Sequence, residues 1–213
     1  HPAVFDYVIT NSGLCGNEPV DILIYFHSAW NNRGKRRFLR ETWASVKTFH
    51  NISIKTIFIL GSPKDAKHQL TIDFENVVYR DIVQGDFNDT FKNLTLKSAL
   101  AIQWINTHCM QTRYVIKADD DIFINVFKII EDLFPVLSQR KQTVMCHFHK
   151  AGQSVIVRNP KSQWYIPNGV FKGVKHFPRF CSGYVAIFTS DLIPLLYRSS
   201  FQSPIIPVDD VYM

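Results

Sequence analysis

Apolar and polar positions along the first half of the chain separate strands from helices. Val20-Asp-Ile-Leu-Ile-Tyr-Phe26 is an apolar run of strand length followed by a polar loop from His27 to Gly34, and it predicts a first buried strand. From Lys35 to Phe49 no Pro or Gly intervenes, and Phe38, Leu39, Trp43 and Val46 recur at helical spacings with arginines on another face, which predicts a helix. Ile54 to Leu60 closes on Gly61-Ser-Pro63, and Asn76 to Tyr79 leads into Arg80 to Val83. Both stretches are rich in β-branched or aromatic residues and predict the second and third strands, with a short helix around Asp65 to Ile72 between them. Asn88 and Asp89 offer N-cap oxygens to a long helix that presents Phe91, Leu94, Ser98, Ala101 and Ile105 on one stripe and ends near Cys109. Tyr114 to Lys117 is the fourth strand.

This alternation of strand and helix predicts a mostly parallel sheet with right-handed crossovers. In such open sheets ligands lie beyond the carboxyl ends of the strands. The second half is less regular. Val126 to Leu137 predicts a helix that tolerates Pro135 near its end, Thr143 to His149 and Val155 to Arg158 are short strand candidates, and Pro160, Pro167 and Pro178 break the pattern. Tyr184 to Phe188 then predicts a strand and Ser190 to Ser199 a helix, so the second half is read as mixed α+β. With 213 residues, 46% hydrophobic and 20% charged, the chain is expected to form one folded domain.

Charge changes this picture little. The net charge of +6 could serve an anionic partner, but the cations cluster only from Arg33 to Arg40, without the aromatic interleaving of a nucleic-acid groove, and no nucleic acid is expected. Cys15, Cys109, Cys146 and Cys181 contain no CxxC pair, which excludes a zinc ribbon or a thioredoxin-like site. Sequons begin at Asn51, Asn88 and Asn93, and with an even cysteine count they favour a secretory lumen. No apolar run is long enough to span a membrane. The first residue is His rather than Met, so the chain is expected to be a fragment or processed form whose anchor lies upstream.

The chemistry is expected at Lys117-Ala-Asp-Asp-Asp-Ile-Phe-Ile-Asn125, where consecutive carboxylates end the fourth strand. Adjacent carboxylates disfavour one another's ionisation unless a cation or hydrogen-bond donors sit among them. Carboxylates one residue apart can share Mg2+ or Mn2+, leaving positions for phosphate oxygens, which points to a bound diphosphate. Solvated carboxylates capping a turn are the alternative, disfavoured because Ile122, Phe123 and Ile124 re-enter apolar surface. A second acidic pair, Asp209-Asp210, lies near the end, where either residue could cap a helix or act as base on an attacking hydroxyl. Arg36 with Arg40, and Asn93 with Lys97, are four apart on helices that begin near the ligand edge. The histidines have no HExxH-type spacing.

Taken together, these segments resemble the β-1,3-galactosyltransferase and β-1,3-N-acetylglucosaminyltransferase family (glycosyltransferase family 31). The resemblance rests on Asp81 to Lys97, Lys117 to Asn125, Arg36-Arg-Phe-Leu-Arg-Glu-Thr-Trp43, Phe177-Pro-Arg-Phe-Cys-Ser-Gly183 and Asp209-Asp-Val-Tyr212, in the family's order. Val185 stands where many members have glycine, and Asp209 where glutamate is commoner.

The resemblance implies a GT-A (Rossmann-like) α/β fold, with residues 1–125 as the nucleotide-sugar half and 126–213 as the acceptor half. It implies an inverting enzyme of the Golgi lumen, on a type II membrane protein. Such an enzyme would move galactose or N-acetylglucosamine from UDP-galactose or UDP-N-acetylglucosamine to a glycan hydroxyl of a glycoprotein or glycolipid in β-1,3 linkage. Mn2+, or Mg2+, would be the cofactor. It implies Asp119 and Asp121 as metal ligands, Asp119 and Asp120 with Arg36, Arg40 and Lys97 at the nucleotide, and Asp210 as the base. A Cys15–Cys109 bridge is also implied, while composition leaves the connectivity open. Family domains continue past this motif, so a chain ending at Met213 is expected to be weakly active or inactive alone. The alternatives are a fringe-like or chondroitin-synthase-like transferase with another donor, or a non-catalytic glycan-binding relative. A phosphohydrolase would need Thr where Phe123 stands.

Overall fold

The computed structural model describes residues 5–16 and 18–213. Its strands are β1 (Tyr7–Ile9), β2 (Ile22–His27), β3 (Thr48–Phe49), β4 (Ile52–Ser62), β5 (Ile82–Asn88), β6 (Tyr114–Asp119), β7 (Val144–His149) and β8 (Phe180–Thr189). Its α-helices are α1 (Arg33–Glu41), α2 (Ala66–Tyr79), α3 (Leu94–His108), α4 (Val126–Lys128), α5 (Phe134–Leu137), α6 (Ile193–Ser200) and α7 (Asp209–Tyr212). The sheet order is β1-β5-β4-β2-β6-β8-β7, with β3 paired to β4. The central strands β5, β4, β2 and β6 run parallel, and β1, β7 and β8 pair antiparallel at the flanks. This is the mixed α/β sheet with a largely parallel centre that the sequence pattern predicts.

Strand β2 and residues 57–60 of β4 read as apolar runs because both of their faces are covered. On one face Leu39 of α1 and Ile72 of α2 pack with Phe26, Phe58 and Ile116. On the other, Trp104 and Leu100 of α3 pack with Tyr25, Ile57 and Val115. Helix α3 is buried around nearly its whole circumference, since α6 and α7 cover the side turned away from the sheet. The chain moves outward from β2 to β5 and then returns through α3 to β6 on the other side of β2. The gap between β2 and β6 is therefore the switch point of the sheet, where a ligand crevice forms beyond the carboxyl ends. There His27 is in register with Asp119.

Several sequence expectations are corrected. Asn76 to Tyr79 ends α2 instead of starting a strand, and Val77 and Val78 stay exposed on its outer face. A helix already anchored by Ile72 and Glu75 propagates through β-branched residues at small cost, and it stops where Arg80 turns left-handed at φ 52°. The helix from Lys35 ends at Glu41, not Phe49. Thr42 leaves helical geometry and Trp43 turns in to meet the Phe26 ring edge-on at 5.4 Å. Val155 to Arg158 forms only one bridge, Val155 with His176. The helix from Val126 to Leu137 is present as α4, a π-turn over Ile129–Leu133 and α5, with Pro135 in the first turn of α5. Strand β1 has no counterpart in the sequence reading. Disulfides join Cys15 to Cys109 and Cys146 to Cys181, with Cα separations of 5.5 and 5.6 Å.

Candidate active site

The loop leaving β2, from Ser28 to Asn32, is held from three sides. Arg36, fully buried on α1, donates from Nη1 to the Ala29 carbonyl at 2.6 Å and Ser28 Oγ at 3.0 Å, and from Nη2 to the Trp30 carbonyl at 3.2 Å. Its Nε and Nη2 also grip Glu75 of α2, each at 2.8 Å. Arg40 bonds Glu75 at 2.7 Å and both Asp81 oxygens at 2.8 Å, with its guanidinium over the Tyr79 ring. From α3, Lys97 donates to the Ser28 carbonyl at 2.6 Å and lies 2.7 Å from Asp89, which accepts the Trp30 and Gly61 N–H groups through its other oxygen. Gly61 is required there, because a Cβ would lie 2.7 Å from the Phe87 carbonyl.

Arg36, Arg40 and Lys97, expected at the nucleotide itself, thus spend their donors inside the protein. Their reach toward a ligand runs through the Ser28–Asn32 loop they shape. The reason is Glu75, whose carboxylate the sequence does not flag. Asp89 is in the same position: expected as a helix cap, it serves instead as the counter-ion of Lys97, and the helix starts at Leu94.

The acidic triplet points three ways. Asp120 is buried and accepts from Ser28 Oγ at 2.7 Å, Asn32 Nδ2 at 2.8 Å and Lys35 Nζ at 3.1 Å. Asp121 faces solvent and meets Lys35 at 3.0 Å. Asp119 turns toward the second acidic pair. Burial, and then the charges of Asp209, Asp121 and Asp210, push its carboxyl up to about 7 against the opposing pull of Lys117.

Lys117, one strand position before Ala118, is a buried cation at the centre of this group. Its Nζ donates to the Gly183 carbonyl and lies 3.0 Å from Asp209 Oδ2. Burial alone would raise Asp209, but the Lys117 charge and hydrogen bond outweigh it and hold this carboxyl below its ordinary value. Asp210 moves the other way. Burial and the adjacent Asp209 charge raise it, while the Gly183 N–H holds it in place. Gly183 keeps room for this carboxylate, because a Cβ there would overlap the Asp210 side chain and displace it. His27 Nδ1 lies 3.7 Å from Asp209, too long for a hydrogen bond, and burial followed by the Lys117 charge keeps this imidazole well below its usual value and neutral. A cavity of about 780 Å³ opens beside Asp209 and Asp210, walled by Lys117, Phe148, Ser182 and Gly183 among others.

Two adjacent carboxylates displaced in opposite directions are chemically unlike: the one beside Lys117 favours its anion, and the other holds a proton more readily. Sequence reasoning singled out the pair without distinguishing its members. What separates them is Lys117, which in the sequence is only a strand residue ahead of the triplet. Among the described residues no group of three or more His, Cys, Asp or Glu is arranged to hold a metal ion. The donor set at Asp119 and Asp121 is nonetheless two hard carboxylates one residue apart, a set that suits a hard divalent cation completed by ligand and solvent oxygens.

Residues 34–213 match the family model described as Galactosyltransferase. The chain belongs to the galactosyltransferase family. It is 30% identical over 214 residues to beta-1,3-galactosyltransferase 1 of Homo sapiens and of Mus musculus, covering 100% of this chain and 64% of each relative. It is 31% identical over 199 residues to beta-1,3-galactosyltransferase 5 of Pan troglodytes, covering 93% of this chain and 66% of that one. The chain therefore spans somewhat less than two thirds of the length of these relatives. Among solved structures, a 4-diphosphocytidyl-2C-methyl-D-erythritol synthase from Anaerococcus prevotii overlaps 87% of this chain and 77% of its own, with 13% identity and a TM-score of 0.44. That likeness is too slight to carry an argument. As a family member, the chain has its Asp119 and Asp210 segments inside the matched region.

Proposed function

We propose that this chain is the catalytic part of an inverting glycosyltransferase that moves a hexose, galactose or N-acetylglucosamine, from a UDP-sugar to a glycan hydroxyl in β-1,3 linkage. The observation that carries this reading is the opposed displacement of Asp209 and Asp210 about Lys117, beside Asp119 at the switch point. Family membership and the names of the relatives support the reaction class.

In this reading residues 1–125 hold the donor and 126–213 receive the acceptor. The acceptor enters through the cavity beside Asp210. Asp210, its proton affinity raised by burial and by Asp209, takes the proton of the attacking hydroxyl. As the oxygen bonds to the anomeric carbon, the bond to the diphosphate breaks on the opposite face and its electron pair leaves with UDP, so the configuration inverts in one displacement. Lys117 and Gly183 keep the Asp210 carboxylate fixed, and the Ser28–Asn32 loop shapes the donor side. Asp119 and Asp121 would hold Mn2+ or Mg2+, whose charge stabilises a departing diphosphate when bound. Golgi residence belongs to the same reading, and the disulfides support an oxidising secretory compartment in general.

The test is release of UDP by the natural protein, measured with a panel of UDP-sugars and glycan acceptors. Acceptor-dependent release with a UDP-hexose supports the reading. Glycan binding without release from any donor supports a silent, lectin-like domain instead.

A further inference from the structure

The candidate active site occupies the carboxyl ends of the parallel strands, and the opposite end of the sheet contributes none of its residues. At that opposite end β3 and β4 are joined by a two-residue turn on His50 and Asn51, with φ values of 48° and 61°. Left-handed pairs of this kind match the twist of the flanking strands, and Asn tolerates the conformation best after glycine. Asn51 is exposed, and its carboxamide makes no hydrogen bond among the described residues. It begins the sequon Asn51-Ile52-Ser53.

The other sequons sit at the opposite pole. Asn88 ends β5 and shares a small cavity with Trp30 and Asp89, next to the loops of the site. Asn93 Nδ2 donates to the Asn88 carbonyl at 2.8 Å, and Thr95, the last residue of its sequon, is fully buried and bonds the Ile206 carbonyl at 2.6 Å. A bulky group on either residue would crowd the segment that carries Asp89 and Lys97. Of the three, only Asn51 combines a free amide with open solvent away from the site. Both disulfides, which use every cysteine of the chain, belong to an oxidising compartment, where asparagine-linked sugars are also added.

We propose that Asn51 carries an N-linked oligosaccharide. The donor class is a polyisoprenyl-diphosphate oligosaccharide handled by the transferase of the secretory pathway. The Asn51 Nδ2–C1 bond forms as the C1–oxygen bond breaks, the lipid diphosphate departs with the electron pair, and the transferase takes the amide proton. Timing follows from Ser53, whose hydroxyl is 2.8 Å from the Pro19 carbonyl and accepts the Asp21 N–H at 2.9 Å in the folded protein. Transfer therefore precedes closure of β4 onto the Pro19–Asp21 segment. Afterwards the turn leaves the sugar in solvent. None of this depends on the catalytic reading of the other pole.

The experiment is expression of the natural protein in cultured animal cells, purification from them, enzymatic release of N-glycans, and mass spectrometry of the Asn51 peptide. The expected result is conversion of Asn51 to Asp on release, and loss of one glycan from the gel mobility of Asn51→Gln and of Asn51→Asp. The Asp variant keeps the left-handed turn if Gln strains it, and Ser53→Thr should retain the glycan. Recovery of unmodified Asn51 from the purified protein with its disulfides formed would overturn the proposal, as would mobility unchanged in both variants.

Discussion

The Lys117 ammonium lies 3.0 Å from the Asp209 carboxylate in a buried pair, and this contact leaves the neighbouring Asp210 as the carboxyl with the raised proton affinity. Two chemically identical, adjacent side chains at the start of α7 are thereby made unlike by one cation delivered from strand β6.

Gly183 enforces the position of Asp210, so Gly183→Ala should displace the carboxylate without unfolding the sheet. A misplacement of this order lowers turnover about 100-fold. Donor affinity should stay within a factor of about two, because the change lies on the acceptor side. Steady-state kinetics with calorimetric donor binding separate the two. An equal loss in both would place Gly183 in the donor site instead.

Glu75 is the hub of the buried Arg36 and Arg40 network, and removing its charge leaves Arg36 buried without a carboxylate, while Arg40 keeps Asp81. Glu75→Gln should destabilise the fold by about 3–5 kcal/mol in denaturant unfolding. Burial would raise the Glu75 carboxyl, but hydrogen bonds and charge from Arg36 and then Arg40 hold it below its ordinary 4.5. Its stabilisation is thus complete above that value and is lost as pH falls through the depressed one. The variant should lack this acid limb.

His27 is buried neutral, with its proton affinity well below the ordinary 6.5. The unfolded chain binds more protons than the native one below that pH, so this group costs stability as pH falls from about 6.5. Asp119 acts oppositely, since its raised carboxyl favours the native state as pH drops from about 7. The contribution of His27 is isolated by subtraction. The unfolding free energy of wild type should fall more steeply between pH 6.5 and 5 than that of His27→Gln.

How much of this was legible beforehand divides by type of interaction. Strand β2 and residues 57–60 of β4 were readable because burial on both faces makes them apolar runs. The ligand edge at the carboxyl ends followed from their alternation with helices, whereas the switch point between β2 and β6 rests on a strand order that alternation does not encode. The end of α2 was not readable, because Val77 and Val78 have strand-like side chains in a helix whose continuation is decided by the Glu75 anchor, a contact with α1. The site followed the same rule. Asp119, Asp121 and Asp210 stood out as local acidic motifs, whereas the roles of Arg36, Lys97 and Lys117 depend on partners 39, 8 and 92 positions away, Glu75, Asp89 and Asp209. Pairings across elements leave no periodic trace in the chain.

Asp119, with its carboxyl near 7, must lose a proton before it can ligate a cation. Mn2+ affinity, followed by paramagnetic relaxation of water, should rise about tenfold from pH 6 to pH 8 and be abolished in Asp119→Asn. Affinity that is flat with pH, or kept in the variant, would remove Asp119 from the cation site.

The most direct test is Asp210→Asn, which preserves shape and removes the proposed base. Acceptor-dependent UDP release should fall by about 10²–10⁴-fold while donor binding and thermal stability are retained. Asp209→Asn should instead lower stability, because it leaves Lys117 buried without its partner. Full turnover in Asp210→Asn, with the loss falling on Asp209→Asn in a folded protein, would contradict the assignment of Asp210 as the base.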